Sequence, residues 1–306
     1  MRKLLLALSR NTALRDVAVR VGPVRRTVER FVAGESVDDA IRVVSQLAAS
    51  GLRSTVDHLG EDTTSQQAAL DATQANIDLL RRLGEDGLAP VAEVSVKASA
   101  IGLALPGGAG LALENAGRIC AAAAEVGTTV TLDAEDHTTT DATHALLDTL
   151  RAEFPSTGGV LQAMLRRTPT DAARYASPGS RIRLCKGAYA EPASVAHTSG
   201  EQVAAAYREC LATLVRGGAY PMVATHDPEL ISAAVDLVSS SPPPGGYEFQ
   251  LLHGVRLDEQ RRLAEAGHTV RVYVPYGVDW YGYFMRRLAE KPANLALLGR
   301  ALVSRR

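Results

Sequence analysis

The chain has little cysteine. Cys120, Cys185 and Cys210 are the only three among 306 residues, and none lies in a CxxC pair. An odd, scattered set argues against a disulfide framework or a thiolate zinc site and fits a reducing compartment. An excess of one charge is also missing. Lys and Arg number 33 against 34 Asp and Glu, so the formal net charge is −1. Nothing therefore marks nucleic acid or an anionic membrane as the main partner. No apolar stretch approaches the roughly 20 residues that a bilayer span requires. The run from Leu4 to Leu8 is shorter than the apolar core of a signal peptide. Arg10, Arg15 and Asp16 follow it without a small-x-small cleavage site. An amphipathic first helix is the better reading, and the cytosol is the expected location.

What the chain does have is a beat of β-rich runs, each ending on or near a polar or charged residue. They span Arg53–Asp57, Ala92–Lys97, Thr129–Asp133, Val160–Leu165, Arg181–Lys186, Pro221–Thr225, Glu248–Leu252 and Thr269–Val274. They are rich in Val, Ile, Leu and Ala and poor in alternation, as strands covered on both faces should be. Helical patterns separate them. Asp227 caps one with Pro228 at its first position, and Leu230, Ile231, Ala234, Val235 and Val238 supply its buried stripe. Thr168 to Asp171 offers a similar entry, and Leu113, Ala116, Cys120 and Ala123 share a face that ends at Gly127. Eight such units predict an α/β fold, a (βα)8 barrel over residues 51–306, with chemistry at the carboxyl ends of its strands. Residues 1–50 carry no strand pattern. Pro23 interrupts them and Ser36–Asp39 reads as a helix start, which predicts a helical extension packed on the barrel. An open doubly wound sheet is the rival, but no GxGxxG opens a helix after the first strand.

Several strand-end residues could carry chemistry. Lys97 could bind an anion, form an imine if its pKa were lowered, or simply reach for water. Asp133 could orient a cation, hold a metal or take a proton, while Glu135 and Asp136 fit the start of the next helix. Arg183 lies inside a strand, where an unpaired guanidinium is costly, so it needs an anionic ligand or a carboxylate such as Asp133. By alternation Arg181, Arg183 and Cys185 share one face, and Ile182, Leu184 and Lys186 the other. Gly187 and Ala188 leave little bulk, which suits backbone lying close to a flat ligand. Gln162, Thr225, His226 and His253 end three other strands. Two histidines invite a metal, but no HxH lies on the first strand, and no metal site is expected. Near the end, Arg286 and Arg287 could flank one small anion with Glu290 bracing either, between aromatic walls from Trp280, Tyr281 and Tyr283. An ordinary solvated helix explains the same string.

Taken together, the segments Arg183–Tyr189 (RLCKGAY), Ala224–His226 (ATH), Glu248–Gly254 (EFQLLHG) and Tyr273–Glu290 resemble proline dehydrogenase. Lys97, Asp133–Glu135 and Leu161–Gln162 sit in register with them. The resemblance runs from about Val91 to Lys291, and the overall length is like that of the small bacterial single-activity form. It implies a flavoprotein with a distorted TIM-type barrel, a final helix over the barrel mouth and non-covalent FAD. L-Proline would be oxidised to 1-pyrroline-5-carboxylate, the first step of proline catabolism, with electrons passed to a quinone. Lys97, Arg286 and Arg287 would hold the substrate carboxylate, with Glu290 beside them, and Tyr273, Tyr283 and Leu252 would shape the pocket. Arg183 and Asp133 would be the catalytic pair, Arg183 lying beside the flavin. Ala134, Gln162, Lys186, Gly187, Ala188, Thr225 and His226 would contact FAD, with Tyr189 nearby. The resemblance leaves room for a peripheral contact with the inner face of the cell membrane, while oligomeric state is unspecified. Two other readings stay open: a lyase or aldolase using Lys97 or Lys186, and a silent barrel that binds a small carboxylate.

Overall fold

Helices and strands begin where the sequence offers partners for free backbone groups. A computed structural model describes residues 28, 30–61 and 63–290, the side chains of 286–290 excepted. The expected first helix and the Pro23 break lie outside the described residues. Helix α1 (Val37–Ala49) opens with a capping box: the Ser36 hydroxyl accepts from the Asp39 amide, and the Asp39 carboxylate accepts from the Ser36 amide, each at 3.2 Å. Strand and helix then alternate: β1 (Arg53–His58), α2 (Gln66–Glu85), β2 (Ala92–Lys97), α3 (Gly108–Glu125), β3 (Val130–Asp133), α4 (Thr140–Arg151), β4 (Gly159–Gln162) and α5 (Thr168–Tyr175). The second half is β5 (Arg181–Cys185), α6 (Gly200–Arg216), β6 (Tyr220–Ala224), α7 (Pro228–Ser240), β7 (Glu248–Leu252), α8 (Leu257–Glu265), β8 (Val270–Tyr276) and α9 (Trp280–Glu290).

All strand pairings are parallel, in the order β3-β2-β1-β8-β7-β6-β5-β4. The seam between β3 and β4 is joined through Gly158, whose amide donates to Val130 at 2.8 Å and whose carbonyl accepts from Leu132 at 2.9 Å. The eight expected strands are present, with shifted ends. β4 stops at Gln162 rather than Leu165, because the Thr168 hydroxyl takes the Gln162 carbonyl at 2.5 Å and Leu165 turns back onto it. β8 runs to Tyr276, paired with His58 of β1.

Apolar strand residues such as Val94, Val96, Ile182, Leu184, Val272 and Val274 belong to one buried core with Leu79, Leu83, Ile119, Leu147, Tyr207 and Leu214 of the helices. Each fully buried branched side chain contributes about 1.5–3 kcal/mol. Burial pushes the thiols of Cys120 and Cys210 up to about 11 and about 12, so both act as small apolar groups. A second cluster joins Val28, Phe31 and Val32 to Leu59 and to Trp280, Tyr281, Tyr283 and Phe284 of α9. Gly254, at φ 71°, lies against this segment. A Cβ there would collide with the Arg30 carbonyl oxygen.

The strands alternate more than their composition suggests. Both faces are buried, but the inner face is polar: Glu93, Ser95 and Lys97 on β2, Arg181 and Arg183 on β5, Glu248 and Gln250 on β7, Arg271 and Tyr273 on β8. Glu93 is the hub. It lies 2.6 Å from Arg181, 3.7 Å from Arg183 and 3.9 Å from Arg271, and it accepts from Thr55 and Thr131. Burial alone would raise its carboxyl, but Arg271, Arg181 and Arg183 outweigh that and hold it at about 2, against 4.5 for a free glutamate. A carboxyl depressed on folding stabilises fully above its unfolded value, and that contribution is lost as pH falls through the folded one. The window here runs from 4.5 down to about 2. Glu93→Gln should therefore cost roughly 3–5 kcal/mol at neutral pH, in urea unfolding, by leaving buried guanidinium charge uncompensated. The gap from wild type should narrow as pH is lowered below 4.5. A gap unchanged down to pH about 3 would contradict this account.

Candidate active site

In a ring of parallel strands every carboxyl end opens on the same side, and there lies a cavity of about 700 Å³. All eight strands or the turns that follow them reach it. Asp57, Lys97, Asp133 and Tyr273 form one arc. Gln162, Arg183, Lys186–Tyr189, Thr225–Pro228 and Gln250–Leu252 complete the wall, and Tyr283 enters from α9. The expected residues Ala134, Gly187, Ala188, His226 and Leu252 line it as well. The side chains of Arg286, Arg287 and Glu290 lie outside the described residues. Trp280 and Tyr281, read as aromatic walls, pack instead in the second apolar cluster. Trp280 donates to the Glu35 carboxylate at 3.2 Å.

The floor is an interlocked set of ions. Arg183, 5% exposed, donates from Nη1 to Asp133 at 2.6 Å and to Ser95 at 3.0 Å, and from Nε to Gln250 at 2.5 Å. Its guanidinium carbon lies 5.3 Å from the Tyr273 ring centroid. So Arg183 has its carboxylate partner and also faces the cavity. Asp133 further accepts from Ser95 at 2.8 Å and from the Tyr273 phenol at 2.7 Å. Burial, then Asp133, raises the Tyr273 phenol well above its ordinary value, so it stays a donor.

Lys97 donates to both Asp57 oxygens, at 3.0 and 2.8 Å, and lies 3.7 Å from Asp133. Burial would lower its pKa, yet the Asp57 and Asp133 carboxylates more than reverse that and raise it. An amine paired with two carboxylates and raised above its ordinary pKa is a poor nucleophile, which counts against Lys97 as an imine-forming lysine.

On the other side, Lys186 pairs with Asp227 at 2.5 Å. Alternation put Lys186 on the face away from Arg183. β5 ends at Cys185, however, so strand alternation no longer governs Lys186, which lines the cavity. A Cβ on Gly187 would meet the Met164 side chain at 2.5 Å, which keeps this backbone bare. His226 accepts from the Leu252 amide at Nε2 (3.0 Å), so its ring proton sits on Nδ1. Arg256 donates to the His226 carbonyl at 2.7 Å. Gln162 donates to the Glu135 carbonyl at 2.7 Å.

Sequence reasoning missed the partners. Asp57, Ser95, Gln250 and Asp227 each hold a cavity cation or its carboxylate. The available signal was polar residues two apart on a strand: Thr55 and Asp57, Glu93 and Ser95, Glu248 and Gln250.

Comparison with known proteins places the chain in a family. The family model described as proline dehydrogenase matches residues 40–300. Proline dehydrogenase 1 of Bacillus subtilis (strain 168) is 35% identical over 306 residues, 100% of both chains. Proline dehydrogenase of Deinococcus radiodurans is 40% identical over 274 residues, 88% of each. Among solved structures, proline utilization A from Bdellovibrio bacteriovorus superposes with a TM-score of 0.80 at 24% identity. That match covers 91% of this chain and 33% of the other, and shows the shared fold. On a match that spans most of the sequence, the chain belongs to the proline dehydrogenase family.

Proposed function

We propose that the cavity oxidises L-proline to 1-pyrroline-5-carboxylate, with non-covalent FAD as hydride acceptor and a quinone receiving the electrons afterwards. The observation that carries this reading is the convergence of Lys97, Asp133, Arg183 and Tyr273 with Gln162, Lys186, Thr225 and His226 on one cavity of about 700 Å³. That volume falls within the range of about 300–1,000 Å³ for cofactor and ligand pockets. The donors present fit FAD. Arg183 and Lys186 suit an acceptor-rich ring and a phosphate, and the small side chains of Ala134 and Ala188 admit a flat group close to backbone. Quinone use and a peripheral membrane contact follow from the family resemblance. Among the described residues no helix is long and apolar enough to cross a membrane. Residues 1–50 are read as an extension and 51–306 as the catalytic unit.

The chemistry supplied by bound FAD is acceptance of a hydride from C5 of the substrate. The chain's own residues bind and orient. Lys97, joined by Arg286 and Arg287, holds the substrate carboxylate, with Glu290 bracing the arginines. Tyr273, Tyr283 and Leu252 enclose the pyrrolidine ring and fix C5, and such positioning supplies several kcal/mol. Arg183, locked by Asp133, keeps a fixed positive charge where negative charge develops. Lys97, held as a cation by Asp57 and Asp133, is not the base in this reading.

The direct test is a visible absorption spectrum of the purified protein before and after L-proline. A flavin band that bleaches is expected. A colourless protein, or borohydride trapping of substrate on a lysine, would overturn the reading. Lys97→Met should leave Asp57 and Asp133 facing the substrate carboxylate unopposed. We expect kcat/KM to fall about 30-fold or more, mainly through KM, as when one partner of a buried charge pair is removed. An unchanged KM for proline would remove Lys97 from the carboxylate site.

A further inference from the structure

Gln250 stands out as an amide set among ion pairs. It is buried on β7 and faces the cavity. Its Nε2 donates to Glu248 at 2.6 Å, and its Oε1 accepts from Arg183 Nε at 2.5 Å. The amide has one orientation, since an ionised Glu248 only accepts and Arg183 only donates. Glu248 is itself anchored by Arg271 Nε at 2.8 Å and by the Tyr220 phenol at 3.2 Å. Arg271 in turn donates to the Ser54 carbonyl at 2.8 Å. A chain of hydrogen bonds thus runs from the base of the barrel to the Nε edge of Arg183, while Asp133 and Ser95 hold Nη1.

We propose that Gln250 is a positioning residue for proline oxidation: it fixes the Arg183 guanidinium at the cavity floor while adding no charge of its own. This inference rests on the reading of the cavity as a flavin site. The chemistry of the position makes it testable. A glutamic acid in the protonated form could donate to Glu248 and accept from Arg183, as the amide does. Ionised, it would oppose Glu248 and place a negative charge beside Arg183. Facing the position are Arg183 from β5, Glu93 from β2, Asp133 from β3, and Arg271 and Tyr273 from β8. Beneath them lie Glu248 of the same strand, Tyr220 of β6 and Arg181 of β5. The carboxylates favour the protonated form, and the guanidinium groups the ionised one.

The experiment compares wild-type holoenzyme with Gln250→Glu and Gln250→Met from about pH 5.5 to about pH 9, reading kcat, proline KM and flavin midpoint potential. Gln250→Met should lower kcat about 10- to 100-fold at every pH, with KM changed less than about threefold. Gln250→Glu keeps an acceptor for Arg183 Nε but adds a carboxylate beside Glu248, so at the alkaline end its kcat and its flavin potential should both fall below those of wild type. Wild-type kcat and potential in both variants would overturn the proposal. So would a loss of kcat in both variants with the flavin potential of wild type throughout, which a purely structural role predicts. If Gln250→Met fails to fold, the Gln250→Glu series decides alone. A wild type without flavin would sink the parent reading, and this inference with it, whereas a flavin-loaded wild type with indifferent variants would sink this inference only.

Discussion

The constraint on which the rest depends is charge balance inside the barrel. Lys97, Arg181, Arg183 and Arg271 face Asp57, Glu93, Asp133 and Glu248, so four cations meet four carboxylates in a space closed by the strands. Buried ions survive only with partners, and removing one leaves a charge that the interior cannot solvate. That requirement fixes geometry. Arg183 cannot swing without abandoning Asp133, Ser95 and Gln250 at once. The same network that holds the barrel together therefore presents the cavity with pre-set charges, which a site acting through oriented charge needs.

The fold explains why those charges gather at one end. Parallel strands share a direction, so alternate residues facing inward rise in layers from the base to the mouth. Arg271, Glu248 and Glu93 form the lower layers, and Lys97, Asp133, Arg183 and Tyr273 the upper ones. The turns beyond the strands, at Gly187 and at Thr225–Asp227, then furnish short side chains and polar groups around the opening. A core that only had to be stable could have used aliphatic layers; polar layers suit a floor that must hold ions in register.

Much of this was legible in the sequence. Strand count, strand placement, the capping box at Ser36 and the Asp227-Pro228 entry all follow from local pattern. The cavity residues announced themselves by ending strands. What local pattern could not tell is who stands across the barrel. Arg183 and Ser95 are 88 residues apart, and Tyr273 and Asp133 are 140 apart. Periodicity assigns a face but not a partner, so Gln250, Asp57 and Asp227 passed as ordinary strand and cap residues. Alternation also fails where a strand stops, as at Lys186, which lies past the end of β5 and lines the cavity. Trp280 and Tyr281 misled for another reason. An aromatic run reads equally as pocket wall or packing, and Val28, Phe31, Val32 and Leu59 took those two.

A balanced floor has a consequence for recognition. With Lys97 neutralised by Asp57 and Arg183 by Asp133, the described interior offers orientation to a substrate carboxylate but little net attraction. Under the proposed function the attracting charge is assigned to the adjacent Arg286 and Arg287 of α9. On the reading proposed above, the two tasks divide. The strand ends set where the ring lies, and the last helix, which already contributes Tyr283 to the cavity, brings the cations that choose an anionic substrate. On that reading the ion pairs of the interior are complete before substrate enters, so they do not depend on its carboxylate.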